Sequence, residues 1–370
     1  MVLLAVLACA VVVLPGCVPI SSRPFERGVN VYTLLMHRGS DAPVSDWGEP
    51  QSSYDFLASR GMSIVRLAIS WGTLQPALTD TAADRAAALS APVDPKALTM
   101  LHEQVDRIER AGMRVVLDLH NGCTFPTGPG ATSENSLICG RDLSLDAQTS
   151  IWRTLSREFK DDPAIYAYDI FNEPRSDLIS FATYRAATQA VVDAIRDEGD
   201  TSRIWVEAMV GNWTFARDAV KGPWVTDAHG EVDKSIVYSQ HFYPRGTATT
   251  QVRYDYWRGY EAFQTSIVDF GEWCERWGVT CSIGEIGWPG TGSPEVDPND
   301  IAAWNAVGDR AYATADRYGM DVTYFAAMGG ADSRLLAYDS TSPTFPVTAG
   351  IDQARSQAGV IEQFLSRDKR

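Results

Sequence analysis

Ile165-Tyr-Ala-Tyr-Asp-Ile-Phe-Asn-Glu-Pro174 is the stretch from which the rest of the chain is read. The β-branched and aromatic residues of its first seven positions make a buried strand. Pro174 stops that strand, because proline has no N–H for a ladder. Glu173 is thereby set at the C-terminal lip of a strand, with Asn172 beside it. A second apolar run, Cys281-Ser-Ile-Gly-Glu-Ile-Gly-Trp288, presents Glu285 in the same way. Two acidic groups on one rim of a sheet are the minimum for paired proton transfer and nucleophilic attack.

Working outward, apolar strands are expected at Gly28–Thr33, Ile64–Trp71, Arg114–Asn121, Arg203–Met209, Ser235–Tyr243 and Asp321–Met328, besides the two already quoted. Helical periodicity fills the intervals: up to Arg60, then Ala97–Ala111, Asp146–Lys160, Phe181–Glu198, Tyr260–Trp277, Ile301–Tyr318 and Gln353–Leu365. Four of the joins share one punctuation, in Arg60-Gly61-Met62, Ala111-Gly112-Met113, Trp277-Gly278-Val279 and Tyr318-Gly319-Met320. Each is a glycine helix stop followed by one apolar residue entering a strand. Eight βα units with short loops into the strands and long loops out of them predict a single-domain α/β (β/α)8 TIM barrel over residues 28–370. Such barrels place their chemistry at the C-terminal ends of the strands. An open doubly wound sheet is the alternative, and it would need a Gly-rich phosphate turn that the sequence does not contain.

Composition narrows the partners. A formal charge of −15 over 370 residues opposes nucleic acid, and eleven tryptophans suit a carbohydrate cleft as well as a core. Residues 1–16 read as a signal peptide, and Leu14-Pro-Gly-Cys17 is similar to a bacterial lipobox with Cys17 as the lipidation site. Residues 17–27 would form a tether, and the membrane would be met only through that lipid anchor. The alternative is simple cleavage and secretion. Export makes the remaining cysteines candidates for disulfides, and proximity favours Cys123–Cys139 and Cys274–Cys281. A zinc site is the competing use, but no Cys-x-x-Cys or histidine cluster supports it.

Strand parity sorts the polar residues at the barrel mouth. Arg66 shares a face with Ala68 and Ser70, His241 with Tyr243, and Glu285 with Ile283 and Gly287. A guanidinium inside an apolar strand needs a carboxylate partner. Glu285 across the barrel is the candidate, with the Tyr243 hydroxyl as a second donor. The alternative for Arg66 is that it satisfies core carbonyls or Asp118. Glu173 calls for the opposite tuning, a pKa raised by burial and by Glu285, with His241 as its neighbour. Asp118 and Asp169 are expected in buried polar networks, and Glu207 as a salt-bridge partner or a substrate hydrogen-bonder. Trp213 and Trp288 are candidate sugar platforms or packing residues.

Val65-Arg66-Leu67, Ile69-Ser70-Trp71 with Leu74-Gln75-Pro76, Leu119-His120-Asn121, Phe171-Asn172-Glu173-Pro174, His241-Phe242-Tyr243 and Gly284-Glu285-Ile286-Gly287, taken in order, resemble glycoside hydrolase family 5. The resemblance implies a cellulase-like retaining glycosidase without metal or cofactor. Glu173 would be the acid/base and Glu285 the nucleophile. Arg66, His120, Asn172, His241 and Tyr243 would line the site of the reacting sugar. The expected substrate is a β-linked glycan, with endo-β-1,4-glucanase the first reading and β-mannanase or exo-β-glucosidase the second. A surface lipoprotein that binds glycan without cutting it is the reading from another class. Members of the family usually carry a tryptophan at the end of the eighth strand. Here Tyr324-Phe-Ala-Ala-Met-Gly-Gly330 has none, and Met328 or a loop aromatic would take its place.

Overall fold

The first strand, β1 (Arg27–Val31), pairs in parallel with β2 (Ile64–Ile69) on one side and with β8 (Asp321–Ala327) on the other, and this double pairing closes the sheet. Between them run β3 (Arg114–Leu119), β4 (Ile165–Asp169), β5 (Arg203–Glu207), β6 (Ile236–Phe242) and β7 (Thr280–Ile286), each parallel to its neighbours in sequence order. The computed structural model describes residues 22–36, 48–75, 82–125, 136–210, 221–244, 260–292, 296–328, 334–341 and 350–367. The expected signal peptide, Cys17 and Trp213 lie outside the described residues. The architecture is the expected (β/α)8 barrel.

Helices α1 (Gln51–Ser59), α2 (Pro95–Arg110), α3 (Leu145–Phe159), α4 (Phe181–Asp197), α5 (Tyr260–Trp277) and α6 (Ile301–Tyr318) occupy the crossovers. Asp94, Ser144 and Ser180 cap α2, α3 and α4 by accepting backbone N–H bonds, which satisfies donors that the first helical turn leaves open. The four glycines that punctuate the sequence all take positive φ, from 60° at Gly278 to 84° at Gly61. The last expected helix contracts to one turn, Ala358–Ile361. Gln353–Ala354 pairs instead with Tyr338–Asp339, which itself adds to β8 at Ala327. Both expected disulfides form.

Alternation along the strands stacks the barrel interior in layers. Ile64, Val116, Tyr166, Ala167, Trp205 and Val237 make an apolar plug. Two residues further along four of these strands the same face carries a charge: Arg66, Asp118, Asp169 and Glu207. Outward-facing Val65, Leu67, Val115, Leu117 and their equivalents belong to the larger core beneath the helices.

Trp288, a candidate sugar platform in the sequence, is a packing residue. It is fully buried, with its ring edge-on to Tyr324 at 4.9 Å and to Tyr312 at 6.1 Å. Its indole N–H donates to Asn305 Oδ1 at 3.0 Å, so both the ring faces and the polar edge are used inside the protein. Gly308 of α6 lies against the same ring, where a Cβ would come within 2.3 Å of it. Gly308→Ala should therefore destabilise the barrel by about 1–3 kcal/mol. Urea unfolding would show this as a lower midpoint at unchanged slope.

Candidate active site

Arg66 stands at the centre of the polar layer and is fully buried. Its Nε donates to Asp169 Oδ2 at 2.9 Å, and Nη1 to Asn30 Oδ1 and Glu285 Oε1, both at 2.9 Å. Nη2 donates to Asn172 Oδ1 at 2.9 Å and Glu207 Oε1 at 3.0 Å, with Asp118 Oδ2 in ion-pair contact at 3.1 Å. All five guanidinium N–H groups are thus spent. The expected Arg66–Glu285 pair is present, and so is Asp118, which the sequence offered as the alternative. Burial opposes the charge on Arg66, yet Asp118, Asp169, Glu285 and Glu207 together hold its pKa well above the usual arginine value.

Each neighbour is oriented by this centre. Asn172 gives its carbonyl oxygen to Arg66, so its amide nitrogen faces His120 Nε2 at 3.3 Å. His120 Nδ1 lies 2.7 Å from Asp118 Oδ2. Desolvation works against a charged His120, and Asp118 outweighs it and raises the pKa. Glu285 receives Arg66 on Oε1 and the Tyr243 hydroxyl on Oε2.

Strand β4 ends at Asp169, two residues short of the expected Phe171. Ile170, Phe171 and Asn172 lead out of the sheet, and Glu173 sits in the left-handed region at φ 48°. Few non-glycine residues do so without a structural reason. Its side chain is 40% exposed, and its Oε1 accepts from His241 Nδ1 at 2.9 Å. Burial raises the Glu173 pKa, as expected. The His241 hydrogen bond and the positive charges of His241, His120 and Arg66 outweigh that and lower it to about 2. The expected raised value is therefore corrected, since a cationic neighbour is worth more here than desolvation. For His241 desolvation opposes the charge, but Glu207, Glu285 and Glu173 hold its pKa well above 6.5. In the free site the proton belongs to His241.

One atom each of Glu173, His241 and Glu285 lies within 4.8 Å of the other two, a spacing that suits a metal ion as well as a reacting sugar. At that point a metal ion would have to displace the proton that Glu207, Glu285 and Glu173 favour on His241.

The family model for cellulase, glycosyl hydrolase family 5, matches residues 26–330, which carry every group described above except those of the tail. The chain belongs to glycosyl hydrolase family 5. As a family 5 member it is a glycoside hydrolase. The fold is similar to that of Pseudomonas stutzeri endoglucanase Cel5A solved with cellobiose, at 20% identity and TM-score 0.70, covering 95% of this chain and 97% of that one. It is also similar to the endo-β-1,4-glucanase Xac0029 of Xanthomonas axonopodis pv. citri, at 19% identity and TM-score 0.65, covering 92% and 98%. XacCel5A in complex with cellopentaose matches at 18% identity and TM-score 0.67, covering 93% and 100%.

Within this family 5 site the structure gathers Arg66, His120, Asn172, Glu173, His241, Tyr243 and Glu285, all singled out in the sequence. Two aromatics were missed. Phe325 is half-buried, stacked on Tyr32 at 5.2 Å and 11°, and lies edge-on to Tyr243 at 6.2 Å. Met328 is buried with Ala326 and Leu336 and is not the stand-in for the absent tryptophan. Phe325 shares a face with Asp321 and Thr323 along β8, and that parity was the signal that a search for tryptophan alone passes over.

Removing the central cation should expose how much the layer depends on it. Asp169 is already pushed well above the usual carboxylate range by burial and by Glu207, even with Arg66 in place. Arg66→Leu should cost about 3–5 kcal/mol at neutral pH. Carboxyls that titrate higher in the folded than in the unfolded state penalise folding above their unfolded pKa and not below it. The deficit should accordingly shrink as pH falls toward 4, the ordinary carboxylate value, as denaturant melts at several pH values would show.

Proposed function

We propose that the protein is a retaining endo-β-1,4-glucanase in which Glu285 is the nucleophile and Glu173 the acid/base. The observation that carries this reading is the approach of the two carboxylates within 4.8 Å at the barrel mouth. Retaining glycosidases hold their carboxyls about 5–5.5 Å apart, whereas inverting ones leave roughly 6.5–9.5 Å for a water. A β-1,4-glucan is supported by the cellobiose and cellopentaose held by the Pseudomonas and Xac structures. The Tyr32–Phe325 stack supplies aromatic surface beside the nucleophile's tyrosine.

In the first step Glu285 Oε attacks the anomeric carbon as the glycosidic C–O bond breaks, and Glu173 delivers a proton to the leaving oxygen. His241, at 2.9 Å from Glu173, is the store of that proton. The product is a glycosyl ester on Glu285 and a departing fragment that carries the protonated oxygen as a new non-reducing-end hydroxyl or an aglycone alcohol. In the second step Glu173 takes a proton from water, the hydroxide oxygen displaces Glu285 from the anomeric carbon, and the proton returns to His241. Asn172, with its oxygen held by Arg66, has an amide hydrogen left for a sugar hydroxyl, and Tyr243 and Arg66 hold Glu285 against rotation.

Turnover on a panel of β-1,4-glucan, β-mannan and aryl β-glucosides tests the substrate, and preferred cleavage of mannan or of single terminal residues would overturn the endoglucanase reading. Glu285→Ala with azide and an activated aryl β-cellobioside should give the α-glycosyl azide, and Glu173→Ala should give the β-anomer. Loss of Glu173 should cost roughly 10²–10⁴-fold on a glucan, the usual worth of a general acid.

The proton store also sets a pH limb. The His241–Glu173 pair holds the reacting proton below the His241 pKa and has lost it above. A pKa raised above 6.5 places the alkaline fall of kcat/KM above that value. A His241→Asn variant should lose this limb and begin its decline at lower pH, read from kcat/KM profiles on the same glucan.

A further inference from the structure

Glu207 ends β5 and takes no part in the two steps above, yet the groups that set the geometry of the acid/base converge on it. Its Oε2 accepts the backbone N–H of Glu173 at 2.7 Å. Its Oε1 accepts from Arg66 Nη2 at 3.0 Å and lies 3.0 Å from His241 Nε2. The Glu207 backbone carbonyl accepts the Tyr184 hydroxyl at 2.8 Å, which anchors the strand end to α4. The side chain is buried, so these contacts are not shared with solvent.

All three partners of this carboxylate are donors. A carboxylate has acceptor sites on both oxygens and suits such a set, while an amide would turn an N–H₂ toward one of them. The contact with Glu173 also bears on conformation. A backbone N–H pointed inward at Glu207 goes with the left-handed φ of 48°, which carries the Glu173 side chain to His241 and to within 4.8 Å of Glu285.

We propose that Glu207 is the positioning residue of this site, fixing Glu173 in its left-handed conformation and binding it, His241 and Arg66 into one rigid unit. The proposal rests on the acid/base reading of Glu173. Besides its own members, the charged and titratable groups that face this unit are Asp118, His120, Asp169, Glu285 and Tyr243. Of the carboxylates around His241, Glu207 is the largest of the influences that keep it charged.

The test compares the full-length protein with Glu207→Gln on cellopentaose and on 2,4-dinitrophenyl β-cellobioside, whose leaving group needs no protonation. A misplaced acid should lower kcat/KM on cellopentaose roughly 10²-fold and leave the activated glycoside within about threefold. The alkaline limb on cellopentaose should move to lower pH, because His241 has lost the charge that stabilises it most. Glu207→Asp keeps the charge and shortens the reach to the Glu173 N–H. It should show the same dependence on leaving group with the alkaline limb in place, and it serves as the test variant if the glutamine form does not fold. Equal losses on both substrates, or no loss on either, would overturn the proposal. Glu173→Ala is the control that separates the two readings. If it shows no dependence on leaving group, the acid/base assignment fails and this inference with it. If it does and the Glu207 variants do not, only the positioning role fails.

Discussion

The interaction on which the rest depends is the burial of one guanidinium among four carboxylates. Arg66 has no access to solvent, and neither do Asp118 and Asp169. A cation taken out of water alone, or a set of carboxylates without one, would cost more than this fold can offset elsewhere. The layer is therefore stable only when its members arrive together, from β2, β3, β4, β5 and β7, with Asn30 of β1 completing it. Only a closed barrel brings those strand ends to one point. Asn30 shows how tightly closure and site are joined, since its amide also donates to Gly284 O at 2.9 Å, next to Glu285. The same bonds that seal the barrel hold donors in place before any charge develops on a sugar, which is what lowers a barrier without reorganisation.

Period-two alternation made much of this legible in the sequence. It puts a charged residue two places beyond an apolar one on β2, β3, β4 and β5, and it pairs Arg66 with Glu285 across a barrel whose closure the βα count implies. Depth and backbone shape were not legible. Trp288 lies next to the nucleophile strand, but whether a ring enters the cleft or the core depends on Gly308 making room for it in α6. Glu173 was found at the right rim for a reason that was only partly right. The strand stops at Asp169 rather than at the proline, and a left-handed residue then turns the carboxylate toward His241. A reading by propensity extends an apolar run to its last β-former and has no means of seeing that turn. Glu207 was legible as a salt-bridge partner. Its bond to a backbone N–H from another strand end depends on coordinates, because main-chain donors leave no trace in residue identity.

The low pKa of Glu173 is at first sight awkward for the general-acid role proposed for it. It follows from the same charges that make the site work, and the charge balance resolves it. In the free site Glu173 and Glu285 are both within reach of the His241 proton, at 2.9 and 3.5 Å. In the proposed first step Glu285 forms an ester and loses a negative charge that helps hold that proton. When the leaving oxygen takes a proton by way of Glu173, the His241–Glu173 pair loses one positive charge. The two losses cancel, so the buried layer around Arg66 meets no net change of charge as the first bond breaks. A permanently protonated Glu173 beside a neutral His241 would give the same totals, but its proton would have to survive next to His120 and Arg66, whose charges favour the carboxylate. Storing the proton on His241, where Glu207 and Glu285 favour it, leaves Glu173 already deprotonated for the base role proposed for it. The arrangement thus fits the base step without rearrangement, and it makes the acid step depend on a transfer along one short hydrogen bond that is driven by the attack of Glu285.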